Sequence, residues 1–328
     1  MTASTTAAPA RGLIAIALLA ALALLASLLI GPSGMSPGRA LAALAGHGDP
    51  LAESIMQTLR IPRSLSAFAV GTLLALAGVL LQALFRNPLA DPYVLGVTGG
   101  ASVGALAGML AGAGLVALQW YATAGCLVVG LAVLALGGGG QTLRLLLAGA
   151  VLASACGALV SVLLAVADTG RLRGMVFWLA GDLGWSDHPL IDLGIAALAL
   201  AAALLFGRTL NVLAAGELRS ASVGLDVARA RLGVFVASSL LTACAVLSAG
   251  SVGFVGLVAP HLSRLLLRTT DHRVLAPATA LLGGSLVAVA DLLARTLAEP
   301  RQLPVGGIMA LVGAPLFLGL LLRRGVVR

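Results

Sequence analysis

The side chains of this chain that could do chemistry are few, and they are charges set beside apolar runs. Arg60 and Arg63 stand one helical turn apart at the head of the run beginning RSLSAFAVG. Arg295 follows Asp291 by four residues near the end of another run, a spacing that puts both on one helix face. Two readings fit that spacing. Asp291 and Arg295 form an ion pair that neutralises two costly intramembrane charges. Alternatively, Arg295 joins Arg60 and Arg63 in an outward cationic patch that receives the carboxylates of a docking protein. Neither reading is catalysis. The sequence offers no nucleophile–base pair, no metal-ligand spacing and no paired carboxylates, so no catalytic residue, no bound metal and no enzyme activity are expected. Cys126, Cys156 and Cys244 lie far apart in apolar runs and read as packing thiols. His261, just after Pro260, reads as a structural or interfacial group.

The polar breaks are the next candidates. In FRNPLADP, Asp91 suits a helix N-cap with Pro92 at the first helical position, which sets Asn87 and Leu89 at the inner mouth of a pore. The stretch RTLNVLAAGELRSASVGLDVARAR (208–231) carries Glu217, Asp226 and several arginines, punctuated by Gly216 and Gly224. It suits two short helices on the cytoplasmic face that dock a soluble partner, or a solvated loop. The segment 168–189 is too polar at its ends to span and predicts a short amphipathic helix over 170–183 at the outer surface. Trp178 and Trp185, with Trp120 and Tyr121, fit interfacial belts.

The elements that position these groups follow from composition. The chain has 328 residues, a mean hydropathy of +1.08, 60% hydrophobic and only 10% charged residues, which excludes water-soluble classes. A bilayer-spanning helix needs about 20 apolar residues. Apolar segments fall near 12–31, 64–85, 93–111, 115–136, 143–167, 189–207, 232–249, 254–268, 274–297 and 305–322. The first reads as a retained membrane helix and not as a signal peptide. The shortest, 254–268, crosses incompletely or pairs with the turn at Gly250–Gly253.

With the N-terminus inside, only Arg39, Arg60, Arg63, Arg171, Arg173, Arg295 and Arg301 fall outside, as the positive-inside rule requires. The net charge of +8 sits at helix ends, which points to membrane and not to nucleic acid. All 20 basic residues are arginine. A phosphate-binding loop needs a lysine, so any ATP that powers this protein is hydrolysed by another subunit. Gly96, Gly100, Gly104, Gly108 and Gly112 form a small-residue ridge for close helix packing. Gly137–Gly140 reads as a flexible turn before Gln141 and Thr142.

Several longer words, in this order, resemble a known family. RIPRSLSAFAVG, LLQALFRNPLADPYVLGVTGGASVGA, GELRSASVGL, GFVGLVAPHLSRLLLRTTDHRVLAPATALLGGSLVAVADLLAR and LPVGGIMALVGAPLF are similar to the permease subunits of type II ABC importers for ferric siderophores, haem and vitamin B12. The resemblance implies an all-α polytopic membrane protein in which residues 1–328 are one permease domain of about ten transmembrane helices. It implies a homodimer with a pore on its two-fold axis, two ATP-binding cassette subunits and a periplasmic substrate-binding protein. The location implied is the bacterial inner membrane, with both termini in the cytoplasm.

No cofactor is implied in this chain, because ATP and magnesium belong to the partner ATPase. By the same resemblance Arg60, Arg63 and Arg295 grip glutamates of the binding protein. Asn87, Leu89, Gln141 and Thr142 form the cytoplasmic gate, the last two departing from the Thr-Ser of the vitamin B12 member. Gly216, Glu217, Arg219, Ala221 and Gly224, within the segment 209–231, couple to the ATPase. The implied cargo is an iron-containing chelate. Arg171, Arg173 and the aromatics of 168–189 put haem first, ferric siderophore next and cobalamin third. The rival from another class is an ion-driven secondary transporter, which would use intramembrane acids as relays; Asp291 is the candidate.

Overall fold

Backbone surrounded by hydrocarbon must satisfy its own N–H and C=O groups, and the apolar runs of this chain do so as helices. The computed structural model describes residues 7–32, 34–137, 142–185 and 188–322, and these contain helices and connections but no strand. In chain order the α-helices are α1 (Ala7–Leu29), α2 (Pro37–Leu44), α3 (Pro50–Ile55), α4 (Ile61–Phe85), α5 (Val97–Leu110), α6 (Leu115–Leu136), α7 (Thr142–Ala165), α8 (Thr169–Leu179), α9 (Pro189–Leu205), α10 (Gly207–Ala214), α11 (Glu217–Ser222), α12 (Val227–Ala249), α13 (Val255–Leu267), α14 (His272–Thr296) and α15 (Val305–Leu322).

Among the described residues six helical stretches are long and apolar enough to cross a membrane: α1, the continuous helix Pro50–Phe85, α6, α7, α12 and α14. The pair α9 and α10, bent by 63°, makes a seventh if it is one span. The expected segments at 93–111 and 254–268 fold shorter, as the 14-residue α5 and the 13-residue α13. At 1.5 Å per residue such helices cover about 20 Å of a hydrocarbon layer of about 30 Å. The second expected segment, 64–85, is instead longer, because the helix starts at Pro50 and passes through a π turn at Met56–Arg60. Pro62 lacks the N–H that would close the regular ladder there, and the wider turn absorbs the defect.

Helix α4 is the pillar. Of the most apolar stretch of Pro50–Phe85, 89% is buried, against 17% for α1 and α7, several of whose leucines face outward. It lies against α14 and α13 at glycines. A Cβ on Gly71 would collide with the Gly283 carbonyl, and one on Gly78 with the Gly256 carbonyl. The contacts are locked by Thr72 Oγ1 donating to the Ala280 carbonyl (3.1 Å) and Thr279 Oγ1 to Ser263 Oγ (2.9 Å). This is association through small residues and local polar bonds, as expected in lipid.

The α5 ridge works partly as expected. Gly100, Gly104 and Gly108 meet α6 at the Gly125 carbonyl, the Tyr121 carbonyl and the Tyr121 ring, whereas Gly96 and Gly112 take positive φ at the two ends of the helix. Trp178 departs from the interfacial belt: it is buried in the cluster with Met175 and Cys126, while Trp120 and Tyr121 are exposed. Cys126 and Cys156 are buried, free thiols, and His261 is buried edge-on to Phe317.

Candidate functional site

Two opposite ends of the bundle carry the polar groups. At the arginine end, Asp291 on α14 joins α14 to α4, and its partner Arg295 reaches on to α1. Its Oδ1 lies 2.9 Å from both Nε and Nη2 of Arg63 on α4, and its Oδ2 lies 2.9 Å from Nε of Arg295. Arg63 also donates to Gln302 Oε1 (3.1 Å), with Asp182 Oδ1 3.7 Å from its Nη2. Arg295 Nη2 donates to Ser27 Oγ (2.9 Å) and to the Ser27 carbonyl (3.2 Å), and Ser27 Oγ is 2.8 Å from Ser64 Oγ. Arg60 Nη1 donates to the carbonyls of Leu28 (3.1 Å) and Leu29 (2.8 Å), capping the carbonyl end of α1 with positive charge.

The structure therefore contains the ion pair that the Asp291–Arg295 spacing suggests, with Arg63 added to it. It does not display the three arginines as an open patch. Arg60 is only 3% exposed and Arg295 4%, and both guanidiniums are engaged inside the fold; Arg63 and Asp182 lie nearest the surface. The arginines of segment 168–189 are exposed but are also engaged locally. Its helix is α8 with a 3-10 turn at Leu183–Trp185. Arg171 Nη1 donates to the Met109 and Leu110 carbonyls at the end of α5, and Arg173 stands 5.7 Å over the Phe177 ring. One buried carboxylate had no sequence signal: Asp192, in the first turn of α9, accepts from Ser248 Oγ at 2.7 Å.

At the other end, the hairpin end, α4 stops at Arg86 in the left-handed region (φ 49°). Asn87 Oδ1 accepts from the Leu89 N–H (2.9 Å), and both residues are exposed at the hairpin tip. Asp91 Oδ1 accepts from the Tyr93 N–H (2.8 Å), so it caps a 3-10 turn, Pro92–Leu95, and not α5 itself, which begins after Gly96. Thr142 opens α7, and Gln141 lies outside the described residues.

Burial pushes the Asp91 carboxyl up to about 6, against the opposing pull of the Tyr93 N–H. The folded protein thus holds a proton there that the unfolded chain releases near pH 4. The contribution of this group to stability is therefore expected to fall as pH rises from about 4 to about 6 and then to stay flat. Asp91→Asn keeps the capping acceptor and removes the half-buried charge. We expect it to stabilise the protein by on the order of 1–3 kcal/mol above pH 6 and to change nothing below pH 4, read as thermal midpoints across pH.

The longest polar stretch at this end folds as α10 and α11, the two short helices expected of it. Gly216 turns between them at φ 113°, which a side chain would strain. Ser220 Oγ is 2.8 Å from the carbonyls of both Val212 and Gly216, tying α11 to α10. Glu217 pairs with Arg231 at 3.0 Å, and Asp226 caps α12 through the Arg229 N–H (3.0 Å). Arg219, Ala221 and Gly224 are exposed. Between the charges, Leu218 is 90% exposed and Val223 67% exposed. Sequence reasoning missed these two; a leucine flanked by Glu217 and Arg219 was the available signal.

Among the described residues no group of three His, Cys, Asp or Glu side chains could hold a metal ion. What the fold defines is a polytopic helical membrane protein with charge clusters and protruding helices at its ends and an apolar body between them. The profile of the FecCD transport family matches residues 18–323, and the chain belongs to that family. It is 38% identical over 326 residues to the vitamin B12 import system permease protein BtuC of Shigella sonnei, and likewise to that of Escherichia coli, with 96% of each chain covered. It is 39% identical over 291 residues to the ABC transporter permease protein YvrB of Bacillus subtilis, covering 85% of this chain and 82% of that one. A structure described as an inward-facing metal-chelate type ABC transporter superposes with a TM-score of 0.83 at 32% identity, over 96% of this chain and 99% of that one. PsaBC from Streptococcus pneumoniae, at 17% identity and a TM-score of 0.57, shares the fold alone. The protein is a permease of the type II ABC importer class.

Proposed function

We propose that two copies of this chain enclose the pathway of an ATP-driven importer in a bacterial inner membrane. Each copy crosses ten times, with α5, α13 and α15 as its short passages and both termini in the cytoplasm. The hairpin end then faces the cytoplasm and the arginine end the periplasm. The single observation that carries this reading is the exposed apolar pair of Leu218 on α11 and Val223 just after it, with α11 tied down by the Ser220 bonds and set at the same end as the Asn87 hairpin. Exposed leucine and valine on a charged knob suit insertion into a groove of a soluble ATPase. Gly216, Glu217, Arg219, Ala221 and Gly224 shape that knob, which extends over 209–231. ATP and magnesium belong to that partner.

Asn87 and Leu89, with Gln141 and Thr142, form the cytoplasmic gate. A substrate-binding protein docks at the arginine end. Arg63 makes the contact there, and Arg60 and Arg295 hold in place the helix ends that carry it. Docking and ATP-driven closure alternate access to the pathway.

The cargo we infer is a bulky metal chelate, with a corrinoid first. The relatives named for vitamin B12 and metal chelate support this order. They do not support haem, and the arginines of 168–189 that favoured haem serve the fold: Arg171 caps α5 and Arg173 stacks on Phe177. A proton-driven mechanism is disfavoured because Asp291 is held between two guanidiniums.

Leu218→Asp is the test of the coupling knob. Co-purification with the ATPase should fall by on the order of tenfold or more, as for a hot-spot side chain. Unchanged association together with unchanged transport would sink the assignment. The absorption spectrum of the cargo that the docked binding protein carries separates corrinoid, haem and siderophore.

A further inference from the structure

The coupling knob needs a rigid connection to the helices that line the pathway, and one side chain makes it directionally. Asn211, on α10, uses both halves of its amide on the start of α14. Its Nδ2 donates to Asp271 Oδ1 at 2.7 Å. Its Oδ1 accepts from the His272 N–H at 2.9 Å and lies 2.7 Å from His272 Nδ1, which donates in the tautomer protonated there. Asp271 is the N-cap of α14, and His272 is buried, so the bonds grip the helix end itself.

The surroundings make this clasp decisive. A cleft of about 490 Å³ opens beside it, lined among others by Gln82, Arg264 and Thr270, so close packing does not fill the junction. The rest of the packing on α10 is without directional bonds: Leu210 sits with Leu80 and Ala83 of α4, Leu213 sits in the cluster with Leu81, Leu84 and Phe235, and Gly207 lies against Arg273. Apolar contacts are non-directional; paired hydrogen bonds to a helix cap fix position. From there α14 runs on, through Pro277, for on the order of 29 Å to Asp291 and its grip on Arg63 and Arg295.

We propose that Asn211 is a positioning residue that clamps the coupling helices to α14. Movement of the knob thereby displaces α14 as a unit and shifts the Asp291–Arg63–Arg295 cluster at its far end. This rests on the coupling role proposed above for 209–231. Linkage is reciprocal: docking at the arginine end then alters the ATPase through the same strut.

The test uses the complete importer in proteoliposomes, with its ATPase and cargo-loaded binding protein. Three quantities are read: ATPase association, the ratio of ATPase rate with and without docked binding protein, and transport. Asn211→Asp sets two carboxylates against each other and opens the clasp. Association should persist, the stimulation ratio should drop to about one, and transport should fall on the order of tenfold or more. Adding Asp271→Asn should restore both, because the exchanged pair can again donate and accept across the gap while the α14 cap is kept. Asn211→Ala should match Asn211→Asp without the repulsion.

Stimulation retained in Asn211→Ala, or no rescue in the double variant when Asp271→Asn alone is normal, would overturn the proposal. Loss of ATPase association in the Asn211 variants would also overturn it, since the clasp would then only shape the docking surface. Failure of the coupling reading itself is distinguishable, because Leu218→Asp would then leave association intact.

Discussion

Asp291→Ala should destabilise the folded protein by on the order of 3–5 kcal/mol, the largest single-residue effect expected anywhere in this chain. The carboxylate is fully buried and serves two guanidiniums at 2.9 Å, one of them on its own helix and one on α4. Its removal leaves Arg295 buried with only the Ser27 contacts and the Asp291 carbonyl, and Arg63 with Gln302 and the distant Asp182. Uncompensated charge, and not the loss of one bond, sets the magnitude. The control is a double variant. Asp291→Ala with Arg295→Met removes a pair at once and should recover part of the loss, giving a coupling energy of roughly 1–3 kcal/mol in the cycle with the two single variants. Thermal unfolding in detergent reads both. A single variant within 1 kcal/mol of the parent would mean that water reaches this cluster and that its ion pairs act as surface pairs.

Gly78→Leu is the second large effect, and its cause is steric. A Cβ at this position meets backbone and not a side-chain tip: it collides with the Gly256 carbonyl oxygen and comes to 2.6 Å from that residue's carbonyl carbon and Cα. Neither helix can rotate the obstacle away, so α4 and α13 must separate. Separation also breaks what lies one turn further along α4, where Gln82 Nε2 donates to the Gly256 carbonyl (3.2 Å) and Gln82 Oε1 accepts from Arg264. Overpacking a core typically costs about 1–3 kcal/mol, and with backbone as the obstacle we expect at least the upper end. Gly130→Leu is the matched control on α6, because nothing lies within 4 Å of a Cβ there. It should leave the thermal midpoint within the range of an ordinary surface change, about 0.5 kcal/mol. Equal loss in the two variants would show that glycine flexibility, and not close approach, is what the helices need.

Some of this protein is local and therefore legible in the residues. The apolar runs announce helices, because twenty-odd residues without charge have one way to satisfy their backbone in hydrocarbon. Asp91 before Pro92 announces a cap, because a cap is made by a side chain and N–H groups two or three residues away. The four-residue glycine spacing of α5 and the two short helices around Gly216 are local in the same sense. Even there, the extent of each helix depended on more than hydropathy. The N-terminal extension to Pro50 and the shortness of α5 follow from turns at Met56–Arg60 and Pro92–Leu95 that apolar counting does not resolve.

What the residues alone determined is the class of protein, where the chain can bend, and which charges must be accounted for in the membrane. Which way those charges face was decided only by the tertiary structure. Arg63 meets Asp291 across 228 residues of chain, and Arg295 meets Ser27 across 268. An arginine at a helix end reads the same in sequence whether it greets a partner or closes a core, because its exposure belongs to neighbours that are remote along the chain. The same holds for Trp178, which is buried, for Leu218, which stands out on its knob, and for Asn211, whose partners at the start of α14 lie 60 and 61 residues away. Burial and pairing are set by what the fold brings alongside, and that is information that no single stretch of this chain contains.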